Sequence, residues 1–144
     1  MDIRKITDSY SVTPQITPED LAAIRAAGFG TVICNRPDSE VPADLNAETM
    51  RAAAQAAGLQ FHDLPLTHDT MTPQRIAEQR AICDDADEPV LAYCASGTRC
   101  TVVWALGQAG QRPVDEILST AQAAGYDLAP LRPRLEERSS QAGT

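Results

Sequence analysis

No apolar run in the 144-residue chain approaches the roughly 20 residues that span a bilayer. The opening MDIRKITDSY also lacks the continuous apolar segment of a signal peptide. A soluble, cytoplasmic protein without a membrane partner is expected. Positive charge is scarce as well: 12 Lys and Arg stand against 20 Asp and Glu, for a net charge of -8 and a pI near 4.6. That balance excludes nucleic acid and anionic membranes as partners, since both select basic surfaces. A phosphate-bearing substrate gains no long-range steering and must rely on a local positive field. Metal-binding patterns are missing too. The cysteines at 34, 83, 94 and 100 include no CxxC pair, and His62 and His68 fall at no finger spacing. No metal and no organic cofactor is implied, and without an export signal the cysteines are expected to stay thiols. No Pro/Gly/Ser-rich stretch divides the chain, and a hydrophobic content of 43% is enough for one core. A single domain over residues 1–138 is expected, with a disordered tail over 139–144.

What is present concentrates in PVLAYCASGTRC, residues 89–100. A short apolar run ends in Cys94, Gly97 and Arg99 follow, and an apolar helical stretch begins at Thr101. That order describes a buried strand delivering a thiol to the N-terminus of a helix. The N–H groups of Ala95 to Cys100 then point into one concavity, where the positive helix end and the Arg99 guanidinium favour an anion. A thiol so placed ionises easily, and the thiolate is the attacking form, so Cys94 is the candidate nucleophile. The plainer alternative is a strand-end cysteine beside a glycine turn.

Along the chain, strand and helix patterns alternate. Thr17-Pro18-Glu19-Asp20 starts a helix that Gly28 closes, and Thr31 to Cys34 is a buried strand. Asn46 to Ala57 is helical and stops at Gly58; Leu59 to Leu66 is the next strand. A helix from Pro73 to Asp84 precedes the strand Val90 to Tyr93, and further helices cover Arg99 to Gln108, Pro113 to Ala124 and Pro130 to Arg138. Repeated βα units predict an α/β fold whose mainly parallel sheet is flanked by helices. Sites in such sheets lie at the carboxyl ends of strands. Cys34, Asn35, Arg36 and the Thr67 to Thr70 loop are therefore expected near Cys94.

From Met1 to about Arg134, the stretches SVTPQITPEDLAAIRAAGFGTVICNRPD, VLAYCASGTRC and PVDEILSTAQAAGYDLAPLRPRLE resemble the phosphatase-like domain of beta-lactamase-hydrolase-like proteins. The resemblance implies the fold of cysteine-dependent dual-specificity phosphatases, a four- or five-stranded sheet with a cysteine loop before a central helix. Members also occur fused to sulfur-oxidising metallo-beta-lactamase-fold enzymes, which makes such an enzyme an expected partner, and many are labelled sulfurtransferases. A tyrosine-phosphatase loop has one residue more between cysteine and arginine than the Ala95, Ser96, Gly97 and Thr98 found here. The pattern CxxGxR resembles instead the rhodanese loop, whose cysteine carries sulfur as a persulfide. A tighter ring of N–H groups suits one terminal sulfur better than a tetrahedral dianion. Tyr93 before the nucleophile and Cys100 after the arginine also depart from the phosphatase pattern.

The sequence therefore favours sulfur transfer. Cys94 takes a sulfane sulfur from a small anionic donor, Ala95 to Arg99 hold it, and a thiol acceptor removes it. The alternative is phosphate monoester hydrolysis, which needs a general acid. Asp69 in LTHDTMTPQ is the candidate, His68 could substitute, and a plain turn role suits either. An inactive anion-binding regulatory domain is the third reading. Arg36 either extends the positive field or pairs with Asp38 or Asp44 at the surface. Asp63 and His62 are read as strand residues, and Cys83 as helix packing. Cys34 is core packing first. It is also expected to approach Cys94 from the neighbouring strand end and to pair with it on oxidation in preference to Cys100, whose side chain is expected to turn away.

Overall fold

Strand β5 (Val90–Tyr93) is buried at every position and lies at the centre of a five-stranded sheet. A central parallel strand is covered on both faces, which is why VLAY is apolar throughout rather than alternating. The computed structural model describes residues 1–142. Strand β5 runs parallel to β2 (Tyr10–Thr13) on one side and to β3 (Thr31–Cys34) on the other. Strand β4 (Gln60–Asp63) continues the parallel set beside β3. At the opposite edge β1 (Arg4–Thr7) pairs antiparallel with β2. This N-terminal hairpin went unread in the sequence because RKIT and YSVT are only four residues each, too short for a period to stand out.

Among the described residues six α-helices cover the sheet. Helices α1 (Leu21–Ala26) and α2 (Ala47–Ala56) pack on one face, where Leu21, Ile24 and Met50 meet Val32, Leu91 and Tyr93. Helices α3 (Pro73–Asp85), α4 (Thr98–Gln108), α5 (Val114–Ala123) and α6 (Arg132–Ala142) form the second face. There Ile76, Leu106, Ile117 and Leu135 meet Ile33, Val90 and Ala92. Each fully buried Leu or Ile contributes roughly 1.5–3 kcal/mol. Every residue of α4 from Cys100 to Gly107 is buried, so this helix is apolar on all sides because neighbours surround it.

Several boundaries differ from expectation for local reasons. Pro18–Asp20 forms a 3-10 turn ahead of α1, closed by a box in which the Thr17 N–H donates to Asp20 Oδ2 at 2.9 Å. Strand β4 ends at Asp63, yet Leu64 and Leu66 still donate to Cys34 O and Asn35 O at 2.9 Å. Pro65 has no N–H to continue the ladder. The expected disordered tail is helical from Ser139 to Ala142, where Ser139 Oγ accepts from Gly110 N at 3.2 Å. Residues 143–144 of that expectation lie outside the described residues.

Candidate active site

The strand-to-helix junction at Cys94 is the concavity the sequence points to. Cys94 follows β5 directly, and Gly97 is the N-cap of α4 with φ of +89°. Only glycine takes that left-handed conformation without cost, and a Cβ at this position would run into the Tyr126 hydroxyl. The Gly97 N–H donates to Cys94 Sγ at 3.1 Å. The Gly97 carbonyl is tied into the helix by the Thr101 N–H at 3.1 Å and its hydroxyl at 2.8 Å. Ala95, Ser96 and Thr98 are exposed around the rim, where Ser96 Oγ and Thr98 Oγ1 lie 2.9 Å apart.

Cys94 is fully buried beneath this loop. The Cys100 thiol, directed at its sulfur, and the backbone N–H groups of Cys100, Ser96 and Gly97 lower its pKa from 9.0 to about 5, against the opposing effect of burial. It is thus a thiolate at neutral pH. Burial first, and then the adjacent Cys94 charge, push Cys100 the other way, so Cys100 stays a protonated S–H donor. The expectation that its side chain turns away is corrected: the first turn of α4 brings the thiol into the same core as the nucleophile, near enough to act on its charge.

Cys34 does not approach the nucleophile as expected. Successive strand residues face opposite sides of a sheet. Cys34 stands opposite Tyr93 in register, and both belong to the core under α1 and α2, whereas Cys94 and Cys100 belong to the core on the other face. The Cys34 thiol donates to Arg36 O at 3.3 Å, and burial pushes its pKa up. The nearby Tyr93 hydroxyl is buried and makes no hydrogen bond of good geometry among the described residues.

Arg99 lies on the same first turn with its guanidinium clamped end-on. Nη1 donates to Glu40 Oε2 at 2.8 Å and to Leu66 O at 2.9 Å, and Nη2 donates to Glu40 Oε1 at 2.7 Å. The Nε–H and the second Nη2–H, which share the adjoining edge, have no protein partner among the described residues. That edge offers an anion two parallel donors. Arg36 faces the same carboxylate, with Nε 3.4 Å from Glu40 Oε1. Its ion-pair partner is therefore Glu40 rather than Asp38 or Asp44, while Asp38 caps α2 through Ala47 N at 2.8 Å. Sequence reading missed Glu40 because one acid in RPDSE carries no spacing signal.

Glu40, Thr67, His68, Ser96, Thr98 and Arg99 line a surface depression of about 360 Å³ above the loop. Asp69 is exposed at the tip of the Thr67–Thr70 turn, where the Thr70 N–H donates to Thr67 O at 3.2 Å and the Thr67 N–H to Thr70 Oγ1 at 2.8 Å. Its neighbour His68, not Asp69, is among the residues lining the depression. His62 lines a different hollow at the opposite end of the sheet, with Thr31 and Gln60. Asn35 is buried, and its amide exchanges hydrogen bonds with Gln79 at 2.7 and 3.0 Å. Gln79 in turn donates to the Tyr10 hydroxyl at 3.1 Å, and that hydroxyl donates to Cys100 O at 2.7 Å. This chain ties β2, β3 and α3 to the first turn of α4.

Comparison with known proteins matches this architecture. Residues 2–111 fit the family described as "Beta-lactamase hydrolase-like protein, phosphatase-like domain". A beta-lactamase hydrolase-like protein of Xylella fastidiosa is 31% identical over 144 residues; the match covers 98% of this chain but only 33% of that protein. A solved structure of a candidate phosphatase from Neisseria meningitidis superposes with a TM-score of 0.84 at 36% identity, covering 96% of this chain and 99% of the other. Tk-PTP in its active form superposes with a TM-score of 0.74 at 16% identity, covering 97% of each chain, and shares the fold. The α/β sheet, the thiolate loop and the matched pattern together place the chain in the family of the beta-lactamase hydrolase-like phosphatase-like domain.

Proposed function

We propose that the protein hydrolyses phosphate monoesters through a phosphocysteine on Cys94. The observation that carries this reading is the pairing at one loop of a thiolate, held by the Gly97 N–H at 3.1 Å, with an arginine whose Nε/Nη2 edge has no protein acceptor among the described residues. A phosphoryl dianion bound at the helix N-terminus accepts from the loop N–H groups and from that edge. The Cys94 sulfur attacks phosphorus, the P–S bond forms, and the P–O bond to the leaving group breaks. In this reading His68, which lines the depression, gives the departing oxygen a proton, and an aryl leaving group departs without one. Water then cleaves the P–S bond and releases inorganic phosphate and the thiolate. Fold similarity to phosphatases supports the same reading.

Sulfur transfer is the second reading. It is favoured by the loop being one residue short of the tyrosine-phosphatase pattern and by a thiol, Cys100, where that pattern has a hydroxyl. In that chemistry Cys94 attacks the outer sulfur of a thiosulfate or small persulfide, the donor's S–S bond breaks, and a thiol acceptor later removes the sulfur. About two thirds of the Xylella relative lies outside the match, which leaves room for a partner catalytic unit such as a metallo-beta-lactamase-fold enzyme. Incubation with an aryl phosphate and, separately, with thiosulfate decides between them. Phosphate release with a phosphorylated Cys94 peptide supports the first reading. Sulfite release with one added sulfur atom on that peptide supports the second.

A further inference from the structure

The peptide unit between Ser96 and Gly97 is gripped from both sides. Its N–H points inward to Cys94 Sγ at 3.1 Å, and its C=O points outward to accept from the Tyr126 hydroxyl at 3.1 Å. In a planar trans peptide the two bonds point in opposite directions, so holding one fixes the other. If the unit turned over, the sulfur would face a carbonyl oxygen instead of a donor, which disfavours its charged form. Gly97 offers little steric resistance to such a turn, because a glycine lacks the Cβ that restricts other residues. The contact that selects one orientation therefore comes from outside the loop.

Tyr126 is built for that contact. Helix α5 ends in a Schellman motif, with Gly125 at φ +98°, Gly125 N donating to Gln122 O at 2.9 Å and Tyr126 N donating to Ala121 O at 3.0 Å. The motif turns the buried Tyr126 ring toward the cysteine loop. Arg4 of β1 lies over that ring, 5.6 Å from its centroid, and donates to Ala124 O at 3.0 Å.

We propose that Tyr126 is a positioning residue for the nucleophile, its hydroxyl keeping the Gly97 N–H aimed at Cys94. The proposal rests on the reading of Cys94 as the reacting thiolate. The titratable and charged groups acting on Cys94 are Cys100 and Arg99 of α4, Tyr10 of β2 and Tyr126 itself, with Arg4 acting on Tyr126. The test is Tyr126→Phe, which deletes only the hydroxyl, read by the pH profile of iodoacetamide alkylation at the Cys94 peptide. The profile should move to higher pH, with a roughly three- to tenfold lower rate on its acid side and an unchanged alkaline plateau. Site-specific 3-fluorotyrosine at position 126, nearly isosteric and a stronger donor, should move it to lower pH and covers the case in which the phenylalanine variant folds poorly. An unmoved profile in either folded variant overturns the proposal, and so does a lower melting temperature without a moved profile, which marks Tyr126 as packing alone. The readout needs no substrate, so a wild type that turns over no phosphate ester defeats the proposed function and leaves this result separately legible.

Discussion

Two neighbouring thiols, Cys94 in the loop after β5 and Cys100 on the first turn of α4, are shifted in opposite directions, and the difference assigns their roles. Cys94 is drawn down to about 5 by the Cys100 thiol and the loop N–H groups, whereas burial keeps Cys100 protonated. Cys94→Ser should abolish turnover, since a hydroxyl is a far weaker nucleophile at neutral pH, and should leave the melting temperature near that of wild type at about pH 5, where the ionised thiol adds no stability. Cys100→Ser keeps a donor and should hold turnover within a few-fold. Cys100→Ala removes the donor and should raise the Cys94 titration in the same alkylation assay. Asp69→Asn should cost less than about threefold on any phosphate ester, because loop aspartates outside a site serve turns. His68→Asn should slow alkyl esters by roughly two orders of magnitude while sparing aryl esters, the range of a general acid. Steady-state assays with an alkyl and an aryl substrate check both. Cys94 and Arg99 were legible in the sequence because strand, thiol, glycine and arginine occur in one unbroken order. Cys34 was misplaced because facing depends on register, and a one-residue step reverses the side of a sheet.

The secondary elements were easier to read than their contacts. Capped helices such as α2, with Asn46 accepting from Thr49 N at 2.9 Å, and apolar strands such as TVIC announce themselves locally. The N-terminal hairpin, local but built from four-residue strands, does not, and neither does the Glu40 clamp, whose partner Arg99 is 59 positions along the chain. The same is true of the bridge from Asn35 through Gln79 and Tyr10 to Cys100 O, which joins elements up to 90 positions apart. Gln79→Leu leaves the buried Asn35 amide oxygen without its donor, while Tyr10 keeps its bond to Cys100 O, and should lower unfolding free energy by about 1–3 kcal/mol, measured by urea denaturation. Gly97→Ala forces a side chain into a φ of +89° and against Tyr126. It should disorder the loop and abolish turnover, with a smaller loss of global stability than of activity.

For the whole molecule, the ionised Cys94 links folding to pH. Its folded value is about 5 and its ordinary value 9.0, so between those limits the unfolded chain binds the extra proton and stability rises with pH. Below about 5 the thiol is protonated in both states and that contribution is gone. The stability of wild type relative to Cys94→Ser should therefore grow from the acid to the alkaline end of this window, in paired denaturation curves. The net charge of -8 provides no general attraction for an anionic substrate, so recognition falls to the Cys94 loop and the open edge of Arg99. The most direct measurement is rapid quench of the wild-type protein with an aryl phosphate, followed by the intact mass of the Cys94 peptide. The expected result is one added phosphoryl group on that peptide, formed no more slowly than steady-state phosphate release and missing in Cys94→Ser. Phosphate release with an unmodified Cys94, or an adduct of sulfur alone with no phosphate released, would contradict it.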